Sequence, residues 1–285
     1  MSDTIKQLFV ISRPISWVNT AYPFAAGYLA SGGRVDALLI IGTLYFLIPY
    51  NLLMYGVNDV FDYESDIKND RKGGLEGAVA AKQSHPVILR AALLLNVPFL
   101  AALLWLGTAR SALVLALVVF MVVAYSIAGL RFKERPFLDS ITSSLHFVGP
   151  LLFALSLTGF GTAVWPYVIA FFLWGMASHA FGAVQDVIPD RRSDIASIAT
   201  VIGARRTVRL AFGLYLLSAA LVASQGIVPL VVGVAGLAYA ANVAPYLAIT
   251  DKTSGLANAG WRRFIWLNYG VGFVVTMALL YSLLR

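Results

Sequence analysis

Residues 36–66 read DALLIIGTLYFLIPYNLLMYGVNDVFDYESD. An apolar stretch of roughly 20 residues, the length a helix needs to cross hydrocarbon, runs directly into Asn58, Asp59, Asp62 and Asp66. The stretch is continuous rather than alternating, which favours a membrane helix over a barrel strand. The pattern returns about 128 residues later, where another apolar segment leads into Asp186, Asp190 and Asp194. Carboxylates at the edge of lipid are costly unless paired, hydrated or bound to a cation.

Composition places the whole chain in the same class. Of 285 residues, 59% are hydrophobic and 12% are charged, where soluble domains carry roughly 25% charged residues. The expected fold is an all-α integral membrane protein, a bundle of nine transmembrane helices over residues 15–31, 36–57, 87–108, 110–130, 138–159, 164–185, 205–224, 226–248 and 263–284. It reads as one domain over 1–285, with pseudo-repeated halves carrying the motifs 58–66 and 186–194. Several spans contain proline (Pro23, Pro49, Pro98, Pro150, Pro245), which a membrane bundle accommodates as kinks. Nothing near the N-terminus resembles a cleaved signal. There is no cysteine, so disulfides, thiolate catalysis and cysteine-based zinc sites are excluded.

The net charge of +7 does not point to nucleic acid, because it is distributed by side. Of the 21 lysines and arginines, all but Arg34, Arg110 and Arg285 lie at the N-terminus or in alternate connections. The positive-inside rule then puts the N-terminus and both aspartate motifs in the cytoplasm and the C-terminus outside. Magnesium and diphosphates are available there.

On a helix, Asp59, Asp62 and Asp66 at i, i+3 and i+7, with Asn58 beside them, share one face. Asp186, Asp190 and Asp194 at i, i+4 and i+8 do so with some drift. Pro189 biases Ile188 away from the helical region, so the second set is expected to straddle a helix end. Like charges this close repel. Magnesium relieves that repulsion and binds diphosphate, since hard cations take carboxylate and phosphate oxygens, and it helps diphosphate leave. A single loop of this kind reads equally well as solvated acids paired with Lys68 or Arg192, but two matched loops favour the metal.

Taken together, Asn58-Asp59-x-x-Asp62-x-x-x-Asp66 and Asp186-x-x-x-Asp190-x-x-x-Asp194 in a nine-helix chain resemble the UbiA superfamily of intramembrane prenyltransferases. The resemblance implies that all seven residues act in catalysis and hold magnesium. Tyr125-Ser126 and Arg131-Phe132-Lys133 resemble the family's diphosphate-contacting tyrosine and lysine. Arg71, Lys72 and Arg191 are further diphosphate candidates, since guanidinium forks suit phosphate oxygens. Quinone-type members carry an Arg-Pro-x-x-Pro-like stretch after the first motif; this chain instead has Arg71-Lys72-Gly73-Gly74. With Arg13-Pro14-Ile15-Ser16-Trp17 and Arg131 to Phe137, that departure resembles the lycopene elongases of fifty-carbon carotenoid biosynthesis. The implied partners are dimethylallyl diphosphate, lycopene or a similar hydrophobic acceptor, and membrane lipid.

An alkene acceptor has no ionisable group, so no base is needed to activate it. Tyr55, Tyr63, Trp17 and Phe61 offer ring faces to a carbocation, although most aromatics in such a chain are packing residues. His146 and His179 are candidates for removing a final proton, or simply for bonding within the bundle. Asn51 and Asn19 are candidate site residues whose plainer role is interhelical hydrogen bonding. Ser143, Ser144 and His146 are among the few polar groups away from the cytoplasmic ends. Three other readings exist: prenylation of a quinone or aromatic acceptor by the same chemistry, a secondary transporter, and a CDP-alcohol phosphotransferase. Transporter acids lie mid-helix, and the phosphotransferase motif is contiguous; neither fits two distant motifs at helix ends.

Overall fold

The computed structural model describes residues 3–67 and 80–284, apart from the side chain of Ser65. The described residues are helical, with no strand among them. The helices are α1 (Asp3–Ile11), α2 (Val18–Ala30), α3 (Ala37–Leu47), α4 (Pro49–Phe61), α5 (Tyr63–Asp66), α6 (His85–Leu106), α7 (Ala109–Ser126), α8 (Leu138–Thr158), α9 (Trp165–Val184), α10 (Val187–Arg192), α11 (Ile198–Ile202), α12 (Ala204–Ala223), α13 (Ile227–Val243) and α14 (Asn258–Leu283). Eight helical stretches among the described residues are long and apolar enough to cross a membrane. The expected first span, 15–31, forms the short 3-10 turn Pro14–Ser16 and the 13-residue α2, which is below the usual spanning length. The count of nine therefore depends on that short helix.

The chain divides into two compact units, residues 1–132 with 146–160, and residues 133–145 with 161–285. One aspartate motif falls in each.

In the first unit, the expected second span is broken in the middle. Pro49 has no N–H to continue the ladder, and Ile48 departs from helical geometry at φ −119°. The carbonyls released by the break are met by side chains. Phe46 O accepts from Thr20 Oγ1 at 2.7 Å and Asn51 Nδ2 at 2.8 Å. Leu47 O accepts from Asn51 Nδ2 at 3.1 Å; Pro49 O, the first carbonyl of α4, also receives Asn96 Nδ2 of α6 at 2.8 Å. Lipid offers no water for this purpose, so the protein must supply the donors. Around the break, Phe24, Tyr45, Phe46, Tyr50 and Phe153 form a buried aromatic core. Gly42 lies directly under the Phe24 ring, where a Cβ would collide. Gly56 lets Ile11 of α1 and Ile88 of α6 close on α4. That contact brings the N-terminal segment to the end of α4 that carries the first motif.

In the second unit, α9, α12, α13 and α14 pack around Phe181, Val208, Tyr215, Tyr239 and Phe264. Small residues again permit the approach: Gly175 accepts Ser144, and Gly260 accepts Phe181. Ser178 Oγ and Tyr215 OH are 2.9 Å apart, and Asn242 Nδ2 donates to Gly260 O at 2.9 Å. Hydrogen bonds of this kind, with close packing, are what join helices in lipid.

Candidate active site

The first motif continues the helical path of α4. Asp62 N donates to Asn58 O at 2.9 Å, and Asp66 N to Asp62 O at 2.8 Å. Asp59 and Asp66 are buried, Asp62 is half-buried, and Glu64 is exposed. The three aspartates thus follow one helical path, with Asp62 as the C-cap of α4 and Asp66 in α5. Each of the first two aspartates has an arginine beside it. Arg13 Nη2 donates to Asp59 Oδ1 at 2.8 Å. Arg131 Nη2 lies 3.7 Å from Asp62 Oδ1, and its Nη1 donates to Phe61 O at 3.3 Å. Asn58 Nδ2 donates to Ser126 Oγ at 3.1 Å. Tyr125 meets the buried His146 ring edge-on at 4.9 Å. One face of Tyr55 is taken by the Arg13 guanidinium, 4.2 Å from its centroid.

The donors of this motif are carboxylate and amide oxygens, the hard ligands that magnesium takes, so the residues fit the ion chemically. Among the described residues, no three His, Asp or Glu side chains converge tightly enough to form a metal cage. Lys68, Arg71, Lys72 and Arg285 lie outside the described residues.

The second motif does straddle a helix end, though the break precedes Pro189. Asp186 forms the turn between α9 and α10, Asp190 is inside α10, and Asp194 follows it. Ile188 is helical despite preceding a proline, because Pro189 sits in the first turn of α10, where no N–H is required. Asp194 is exposed and left-handed at φ +54°. Arg191 is strongly engaged: Nη1 donates to Asp251 Oδ2 at 2.7 Å and Nη2 to Thr200 O at 2.7 Å. Asp251 Oδ1 also accepts from Ala204 N at 2.7 Å, capping α12. Lys133, in the 3-10 turn Phe132–Glu134, is half-buried. His179 Nδ1 lies 3.1 Å from Ser140 Oγ, and the fully buried Asp139 accepts from Ile198 N at 2.7 Å and Ser140 N at 2.6 Å.

Sequence reasoning passed over Arg13, Asp139 and Asp251 at these sites. An isolated charge beside a proline or at a helix start carries no sign of its partner. Asn51 resolves to the plainer of its two roles, since its amide serves the α3–α4 break.

The UbiA prenyltransferase family model matches residues 20–280. The chain belongs to the UbiA prenyltransferase family. A lycopene elongase/hydratase of Corynebacterium glutamicum is 51% identical over 282 residues, covering 98% of each chain. The C(50) beta-cyclic carotenoids biosynthesis protein LbtBC of a Dietzia species is 50% identical, covering 97% of this chain and 65% of its own. A UbiA homologue from Archaeoglobus fulgidus, solved with DMAPP and Mg2+, superimposes with a TM-score of 0.65 at 19% identity, covering 93% of this chain and 98% of that one. That likeness establishes the fold. As a UbiA-family member, the protein is an integral membrane prenyltransferase, an enzyme that transfers alkyl groups, and its resemblance to the lycopene elongases is borne out by these relatives.

Proposed function

We propose that the protein transfers a dimethylallyl group from dimethylallyl diphosphate to the ends of lycopene, in a magnesium-dependent reaction that builds fifty-carbon carotenoid precursors. The observation that carries this reading is the 51% identity, over 98% of both chains, to a lycopene elongase/hydratase. Asn58, Asp59, Asp62, Asp66, Asp186, Asp190 and Asp194 would hold magnesium. Arg71, Lys72, Tyr125, Arg131, Lys133 and Arg191 would contact diphosphate. When bound, magnesium supplies charge neutralisation to the departing diphosphate.

The carbon–oxygen bond of the donor breaks, and diphosphate leaves with the electron pair. The π-bond of lycopene's terminal alkene attacks the allylic cation and forms the new carbon–carbon bond. The resulting tertiary cation ends by capturing water, with loss of a proton, or by losing a proton directly. The hydratase in the relatives' names supports water. Arg131, next to Asp62, holds positive charge where diphosphate would develop its own negative charge, an electrostatic contribution worth several kcal/mol in comparable sites. By the positive-inside rule, both motifs face the cytoplasm, with the N-terminus inside and the C-terminus outside.

The test is purified protein in lycopene-containing nanodiscs with labelled dimethylallyl diphosphate. Label should enter lycopene with magnesium present and stop entering with EDTA. Label transferred to a quinone precursor but never to lycopene would replace the acceptor while keeping the chemistry.

A further inference from the structure

We propose that Arg13 is a positioning residue for the first aspartate motif: it fixes one oxygen of Asp59 so that the carboxylate presents in a set orientation to a divalent cation. The inference rests on the magnesium reading above and adds to it a residue from outside both motifs.

Four non-glycine residues among those described have a left-handed backbone: Arg13, Arg131, Phe137 and Asp194. Two of them are the arginines beside Asp59 and Asp62, and a third belongs to the second motif. Left-handed backbone at a residue with a Cβ is unfavourable and persists where surrounding structure over-determines it, most often at functional sites. At Arg13 that surrounding structure is visible. Ile11, two residues earlier, is fully buried against α4 and α6. Trp17 Nε1 donates to Ser12 O at 3.0 Å, and Ser16 N to Arg13 O at 2.8 Å, closing the turn from both sides. The side chain then passes over the Tyr55 ring to reach the Asp59 carboxylate. Tyr55 and Asp59 are four residues apart on α4, so ring and carboxylate share a face. The guanidinium is held between a ring and an anion, with its backbone fixed at φ +52°, and has little freedom to release Asp59.

A guanidinium 2.8 Å from a buried carboxylate can act in two opposite ways. As a competing charge it would weaken cation binding. As an outer partner it would orient the ligand, and loss of such partners typically costs 10–100-fold in metal affinity. The built setting of Arg13 points to the second.

The full-length protein in nanodiscs is titrated with Mn2+ as an EPR-visible probe, without any diphosphate. Arg13→Gly suits the left-handed backbone and removes the side chain; Arg13→Lys keeps the charge but not the planar fork. Arg13→Gly should weaken Mn2+ binding about 10-fold or more, and Arg13→Lys should fall between it and the parent. In an Asp59→Asn background, Arg13→Gly should add little, because the effect passes through that carboxylate. Equal or tighter Mn2+ binding by Arg13→Gly, or an undiminished loss in the Asp59→Asn background, overturns the proposal and leaves the metal reading standing. If Arg13→Gly does not fold, Arg13→Lys decides: parent-like affinity overturns the proposal. A parent protein that binds no Mn2+ overturns the metal reading, and this inference with it.

Discussion

Replacing Asn51 with leucine should destabilise the protein without altering its chemistry. Asn51 is fully buried, and its amide nitrogen lies within 2.7 Å of Thr20 Oγ1, 2.8 Å of Phe46 O and 3.1 Å of Leu47 O. Hydrogen bonds between membrane helices average about 0.6 kcal/mol, with a maximum near 1.7. The amide has two N–H groups to share among these three acceptors, which gives about 1 kcal/mol. The upper limit does not apply, because Asn51 Oδ1 accepts no hydrogen bond among the described residues and part of the cost of burying the amide is unreturned. Leucine leaves Phe46 O with Thr20 but takes from Leu47 O the donor that Asn51 supplied. At roughly 2–4 °C per kcal/mol for chains of about this size, the thermal midpoint should fall by about 2–5 °C. The assay is fluorescence-detected size exclusion after a temperature series in detergent, with kcat/KM measured well below the midpoint. An unchanged midpoint with a large loss of kcat/KM would refute the structural role and return Asn51 to the active site.

Asp62→Ala and Asp190→Ala should each reduce turnover by more than about 100-fold, comparable to losing one strong electrostatic stabiliser, while membrane insertion is retained; near-parental activity at saturating magnesium would contradict the metal role of either motif. Asp251→Ala removes the side chain that caps α12 and pairs with Arg191; the cap is worth about 1 kcal/mol and the half-exposed pair little after solvent screening, so a midpoint drop of a few degrees is expected. Single cysteines placed near Lys68, Arg131 and Arg191 in this cysteine-free chain should resist an impermeant thiol reagent in intact cells, while one near Arg285 should react. Labelling of the Lys68 connection from outside would reverse the topology.

The apolar runs made most of the helices legible, because lipid leaves a spanning backbone almost no alternative. The short first span and the broken second one were harder to read. At Pro49 a break and a tolerated kink look alike in sequence, and only the placement of Thr20 and Asn51 shows which carbonyls were released. The spacing of Asp59, Asp62 and Asp66 made a helical path through the motif legible, but not the turn at Asp62 that separates α4 from α5. Arg13 was not legible as their neighbour: its approach depends on Ile11 packing against Gly56 and Ile88, a tertiary contact with no periodic signature. Arg191 shows the converse. Its guanidinium fork suggested phosphate, whereas in the structure it donates to Asp251 and to Thr200 O, which lie far off or beyond the motif in sequence.

The most direct test of the account is expression in a lycopene-producing host, followed by mass analysis of the pigments. The account predicts new carotenoids heavier than lycopene by one and then two five-carbon units, each carrying a hydroxyl where water ends the reaction, because the two ends of lycopene are alike and one site acts on them in turn. None of these should form with the Asp190→Ala variant. Unchanged lycopene, alongside prenylation of an aromatic acid or a menaquinone precursor by the same membranes, would contradict the acceptor assignment.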